Sequence, residues 1–368
     1  MSSPDPILKP IRSRHKLGEV KQSLRQLAQQ NPVGTRLPTV KELCRQLNVA
    51  VATLDAALES LEATGVITRQ RGSGIFVGPG VVHKTIGVIF SVDIFEAGTS
   101  PVFREILRQC QHRAETHHER FSFYIDIEEE GGRGGAGQIW PAHQDLMRDL
   151  AGERLNGLLL LWPESQRQDA EMRGHGIPVV SLECNALQKK GGVRLDYAEL
   201  QRQATQALLD QGCRRIGFIQ ALSDLPPALD LLEKGGATCR PEWVWRPGKP
   251  LAQLNSTNEE IGFQAVRQML RASAEGPDGL VIMDDMFTRG ALAALRKLGK
   301  RLGKDLKIAT HANKGSSALF GYEDELILVA FDPAEIVETL FQMLETSWET
   351  SQPVSTRVLK PLAPQFPK

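Results

Sequence analysis

The chain has 368 residues, enough for two or three domains at about 100–200 residues each. Hydrophobic residues make up 41% and charged residues 24%, a globular composition that excludes a disordered, collagen-like or coiled-coil chain. Lys+Arg and Asp+Glu both number 44, so the net charge is zero and wholesale polyanion binding is not expected. The charge is uneven along the chain. Residues 1–80 hold 11 Lys/Arg against 6 Asp/Glu, and the remainder holds 33 against 38. A small basic head on a larger, mildly acidic body is the first functional clue.

Met1–Pro10 are polar and proline-broken, without the apolar stretch of a signal peptide. The longest apolar run, Gly157–Trp162, has the length of a buried strand, not of a membrane span. A soluble cytoplasmic protein with no membrane partner is expected. The cysteines (Cys44, Cys110, Cys184, Cys213, Cys239) are scattered and form no C-x-x-C pair. They read as buried reduced thiols, with no metal site and no disulfide framework.

In the head, Leu17, Val20, Leu24, Leu27 and Ala28 fall at helical spacing within His15–Gln30. Asn31-Pro-Val-Gly34 stops that helix. Thr39, with Glu42 three residues on, forms a capping box for a short helix over Val40–Leu47. A third helix, Val51–Ala63, buries Leu54, Ala57, Leu58 and Leu61, and Gly65 closes it. Val66–Gln70 and Ser73–Val77 are β-prone runs around a tight tip at Arg71-Gly72. This layout is a winged helix-turn-helix. Its last helix suits the major groove of DNA, and its hairpin tip suits the adjacent backbone or minor groove.

The body begins after Gly78-Pro-Gly80. Apolar strands are expected at Thr85–Phe90, Phe121–Ile127, Gly157–Trp162 and Ile177–Ser181. Helices at Val102–His117, Gln144–Ala151 and Gln166–Gly174 alternate with them. The alternation repeats: helix Tyr197–Asp210, strand Arg215–Gln220, helix Pro226–Lys234, strand Trp243–Trp245, helix Glu259–Ala272. Strand Gly279–Met283, helix Phe287–Leu298, strands Leu306–Thr310 and Leu326–Ala330, and helix Pro333–Thr346 complete it. Near-continuous apolar strands between helices indicate parallel sheets covered on both faces. The fold class is therefore α/β: an N-terminal winged helix-turn-helix plus a two-lobed α/β domain. The expected boundaries are a DNA-binding domain at 1–77, a linker at 78–84 and the two-lobed body at 85–368. Ligands of such sheets sit at the carboxyl ends of the strands.

Gly34-Thr-Arg-Leu-Pro-Thr-Val-Lys-Glu-Leu43, Leu47-Asn-Val49, Ala57-Leu-Glu-Ser-Leu-Glu-Ala-Thr-Gly-Val-Ile67 and Arg71-Gly-Ser-Gly-Ile-Phe-Val77 resemble the GntR-type winged helix from end to end. Val193–Tyr197 with Ala207–Ile219, Pro277–Gly290 and the closing Val354–Arg357 tail resemble the LacI-type effector domain, which implies that 85–368 form an effector-binding and dimerisation domain with the two-lobed fold of the periplasmic binding proteins. Together they resemble the arabinose-repressor architecture. The first resemblance implies DNA contact by Arg36, Thr39, Lys41, Val51, Thr53, Asp55, Arg69, Arg71, Gly72 and Ser73. Val51 and Asp55 stand where that family carries arginines. A carboxylate can instead accept from a cytosine amine, and Val51 can touch a thymine methyl. The second resemblance implies effector contact by Asp284 and Asp285. Asp93, Phe95, Trp162, Glu183, His311 and Asn313 are further strand-end candidates. Pro226–Ala228 stands where family members carry an arginine, and Thr310–Asn313 where they carry Gly-Phe/Tyr-Asp-Asp.

His117-His118 point apart on a helix, the 126–130 acidic run abuts a glycine loop, and no nucleophile elbow or phosphate cradle is present. No enzyme, metal or cofactor is expected. The expected function is a homodimeric, sequence-specific transcriptional regulator. It represses carbohydrate-related genes through a double-stranded DNA operator under control of a sugar-like effector. Two alternatives stay open: a ligand-free dimerisation body, and a sensor with a vestigial head that acts through protein contacts.

Overall fold

The computed structural model describes residues 16–81, 84–90, 101–125, 141–161, 172–183, 191–220, 225–246, 256–272, 275–350, 352 and 354–367. The expected helix at 166–174 and the glycine loop at 131–137 lie wholly or mostly outside these residues.

In the head, α1 (Lys16–Gln29), α2 (Val40–Leu47) and α3 (Val51–Ala63) precede the hairpin β1 (Ile67–Gln70) and β2 (Gly74–Val77). Val20, Leu24 and Leu27 of α1 pack with Leu43, Leu47, Leu54, Leu58 and Leu61 in one core. The Thr39 hydroxyl and the Glu42 carboxylate cap α2 reciprocally. Asn48, in the left-handed region at φ 55°, turns the chain from α2 toward α3. The connection before α2 adds a third edge to the wing: Leu37 donates to Ile75, Val77 donates to Thr35, and Arg36 bridges Phe76. Residues 78–81, at the start of the expected linker, are seated on the head. Gly78 donates to Val66, Gly80 donates to Gly65, and Val81 joins the core. A side chain at Gly80 would overlap the Thr64 carbonyl, so glycine permits this docking.

The body runs β3 (Lys84–Phe90), α4 (Pro101–Thr116), β4 (Glu119–Ile125), α5 (Pro141–Ala151), β5 (Gly157–Leu161), β6 (Val179–Glu183) and β7 (Gly192–Leu195). Then come α6 (Tyr197–Asp210), β8 (Ile216–Ile219), α7 (Leu229–Lys234), β9 (Val244–Trp245), α8 (Asn258–Ala272), β10 (Gly279–Ile282) and α9 (Asp285–Lys297). It ends with β11 (Lys307–His311), β12 (Ile327–Val329), α10 (Pro333–Thr350) and β13 (Arg357–Leu359). One sheet has the order β13-β7-β6-β5-β3-β4, the other β12-β11-β10-β8-β9. Every pairing of the second sheet is parallel. β5 and β10 are buried at every position, as strands covered on both faces must be. The expected strand at Trp243–Trp245 loses its first residue to a 3-10 turn that starts at Pro241.

The chain passes between the two sheets at three places. These are Leu195–Tyr197 after β7, Ala330–Pro333 between β12 and α10, and Leu359–Leu362 after β13. The crossings are tied to one another. Asp196 N–H donates to the Leu359 carbonyl at 2.9 Å, and Leu362 N–H to the Ala330 carbonyl at 2.7 Å. The Tyr197 and Phe331 rings meet edge-on at 5.5 Å.

Candidate nucleic-acid interface and ligand site

The head presents its expected DNA residues unevenly. Val51 opens α3 and is 55% exposed. Ala50 before it offers no side-chain cap, so the first N–H groups of α3 are not engaged by a capping side chain. Thr53 is half-buried, while Asp55, one turn after Val51, is exposed. Arg36, Thr39 and Lys41 are exposed at and before the start of α2. Thr39 is engaged by its own helix: its hydroxyl and its N–H both reach the Glu42 carboxylate at 2.8 Å. Those bonds hold Glu42 below the usual carboxylate range. Arg71, Gly72 and Ser73 form an exposed wing tip. Gly72, at φ 75°, takes a backbone angle that favours glycine, and Ser73 N–H closes the turn on Gln70. The Arg36 guanidinium lies against Gly74, where any Cβ would crowd it. Arg69 does not extend outward. It bonds Glu62 of α3 at 2.7 Å and approaches Asp55 at 3.9 Å.

In the body, Asp284, Asp285, His311 and Asn313 come together at the carboxyl ends of the neighbouring strands β10 and β11. Asp284 caps α9 by accepting from Phe287 N–H at 2.9 Å. Desolvation, and then the adjacent Asp285, push its carboxyl up to about 7. Asp285 accepts from the Ser316 hydroxyl at 2.8 Å. Thr288 and Thr310 link α9 to β11 through their hydroxyls at 2.6 Å. His311 is buried against Tyr197 at 5.7 Å and Phe331 at 5.9 Å, so it sits on two of the three crossings. Burial holds its imidazole neutral, opposed by the Asp285 charge. Its Nε2 is buried without a hydrogen-bond partner among the described residues, an arrangement that leaves a desolvated group unsatisfied. Asp93, Phe95 and Trp162 lie outside the described residues. Glu183 ends β6.

Three residues here carry no signal in the sequence that singles them out. Gln220, just past β8, is fully buried. Its amide donates to the Leu225 carbonyl at 2.6 Å and accepts from Arg246 Nε at 2.7 Å. Arg246 thereby brings a guanidinium to the carboxyl edge of the sheet. Tyr197 joins them as the partner of His311. Burial pushes Cys110 up to about 12 and Cys213 to about 11. No helix among the described residues is long and apolar enough to cross a membrane.

Residues 17–77 match the bacterial regulatory proteins of the gntR family. Residues 205–364 match the periplasmic binding protein-like domain. A ribose operon repressor of Halalkalibacterium halodurans is 24% identical over 299 residues, covering 74% of this chain and 79% of its own. The structure of a transcriptional regulator CelR–cellobiose complex superposes with a TM-score of 0.60 at 18% identity, over 90% of this chain and 99% of that one. A LacI family transcriptional regulator from Mycobacterium smegmatis gives 0.57 at 22% identity, over 76% and 98%. At these identities the superpositions establish the fold. All three relatives are regulators of transcription, not enzymes. The chain thus joins a head that matches the gntR-family bacterial regulatory proteins to a body that matches the periplasmic binding protein-like domain.

Proposed function

We propose that the protein is a cytoplasmic repressor that grips a double-stranded operator as a homodimer and responds to a sugar-like molecule held at the strand ends of its body. The observation that carries this reading is the exposed, uncapped start of α3 at Val51 together with the exposed wing tip at Arg71-Gly72-Ser73. A helix start entering the major groove and a basic, glycine-bearing tip over the backbone are the two contacts a winged helix needs. In this reading Arg36, Lys41 and Arg71 meet phosphate, and Val51, Thr53 and Asp55 meet base edges. The head occupies residues 1–77 and the body begins at 85.

Relatives named for a ribose operon and solved with cellobiose support a polyhydroxylated effector. Asp285 suits paired acceptance from vicinal hydroxyls. His311 Nε2 has a hydrogen bond to give or take, and Arg246 supplies a guanidinium. A ligand here changes DNA binding only by preferring one arrangement of the two sheets.

The test is a fluorescence-anisotropy titration against duplexes tiling the protein's own gene, at two salt concentrations. One fragment bound well above the rest, with affinity falling steeply as salt rises, is the expected result. Uniform weak binding to every fragment, with no change on adding ribose, cellobiose or other sugars, would sink the reading.

A further inference from the structure

The wing arginine nearest α3 folds back along the surface of that helix, its side chain 37% exposed. Asp55 and Glu62 lie seven residues apart, so they share one face of α3. Arg69 lies along that face. Its Nε bonds Glu62 at 2.7 Å, and its Nη1 is 3.9 Å from Asp55. Its backbone N–H also donates to Glu62, at 3.1 Å. One carboxylate therefore holds both the main chain and the side chain of β1. The Arg69 bonds pull the Glu62 carboxyl below its usual range. The guanidinium meets two carboxylates, so this face offers a phosphate no net positive charge.

We infer that Arg69 is a positioning residue, anchored by Glu62, that fixes the wing on the recognition helix and orients the Asp55 carboxylate toward a base amine. It is not a phosphate contact. This rests on the proposal that the head reads DNA. Phosphate attraction then falls to Arg36, Lys41 and Arg71. Asp55, whose Oδ1 lies 3.9 Å from Arg69, has its other oxygen to present to a cytosine or adenine amine. Sequence preference depends on a three-residue unit spanning α3 and β1.

The measurement is anisotropy titration of the full chain over a range of salt, on a mixed-sequence duplex and on a duplex selected by the wild-type protein from a random pool. Arg71→Ala serves as the phosphate control and is expected to lower the salt slope by about one. Arg69→Ala is expected to leave the slope unchanged on both duplexes. Arg69→Ala and Glu62→Gln are each expected to weaken binding to the selected duplex by about tenfold, and the double variant by no more than either, as coupled groups behave. Glu62→Gln is the conservative arm should Arg69→Ala fold poorly. Two results would overturn the inference: a slope lowered by about one in Arg69→Ala, or tighter binding of Glu62→Gln to the mixed-sequence duplex, since a freed arginine would then be reaching phosphate. If the wild type binds neither duplex, the DNA reading itself fails. The brace is then judged by thermal unfolding of the same variants: non-additive losses uphold it and additive ones remove it.

Discussion

Two carboxyl groups show how environment sets the role of a residue. Glu42 is tied down by Thr39 and stays ionised, so its work is local. Thr39→Ala removes the hydroxyl half of the cap, leaves the main-chain N–H bond to Glu42, and is expected to cost about 1 kcal/mol, read by thermal denaturation. Asp284 is the opposite case. Burial and the adjacent Asp285 push its folded carboxyl up to about 7, while an unfolded chain loses that proton at about 3.9. The fold binds a proton the unfolded chain has released, so Asp284's contribution is full below about pH 4 and lost as pH rises through about 7. Asp284→Asn still caps a helix but cannot ionise. It is expected to raise the melting temperature above wild type at about pH 8 and to match it near pH 3, where the carboxyl is largely protonated in both states. An equal gain at both pH values would show that Asp284 ionises in the fold as freely as outside it. The sequence marked Asp284, Asp285 and His311 as strand-end residues. It could not show that Tyr197 and Phe331 would enclose His311, because those rings arrive from crossings far apart in the chain. Nor could it show that Arg69 would turn back onto Glu62, since charge is visible in a sequence and its partner is not.

Elements whose ends carry their own signals were legible. The expected limits of α2 and α3 coincide with the observed ones, because Thr39, Asn48 and Gly65 punctuate them by capping and left-handed geometry. β7 and β13 have four and three residues, too few for a periodic pattern, and they become strands only through pairing with neighbours. The α8–α9 contact was equally invisible. A Cβ on Gly262 would overlap the Phe287 carbonyl, and one on Gly290 the Glu259 carbonyl. The two helices therefore cross with their backbones nearly touching. Gly→Ala in a free helix gains about 1 kcal/mol, but overpacking against backbone costs about 1–3 kcal/mol or more. Gly262→Ala is accordingly expected to lower stability in urea denaturation. A gain would mean that the helices are further apart than described.

At the scale of the whole molecule, charge is segregated: a basic head on an acidic body with no net charge overall. Attraction to DNA is then confined to the head, and the body repels it, which favours docking in one orientation. In the proposed homodimer, two heads on one operator would also multiply their affinities. Sedimentation is expected to show two chains per duplex. A duplex carrying a single half-site is expected to bind at least about 10²-fold more weakly than the full site. Equal affinity for both would leave the protein a monomeric binder.

The three crossings between the sheets are fastened chiefly by main-chain bonds, from Asp196 to Leu359 and from Leu362 to Ala330. Such bonds are indifferent to side-chain identity. Any residue except proline can stand at 196 or 362 and still make them. The strand-end side chains around the crossings are under no such obligation. Mutational drift can therefore rewrite the side chains at the strand ends while the main-chain fastening of the crossings stays intact, so one frame can be redressed from molecule to molecule without first being rebuilt.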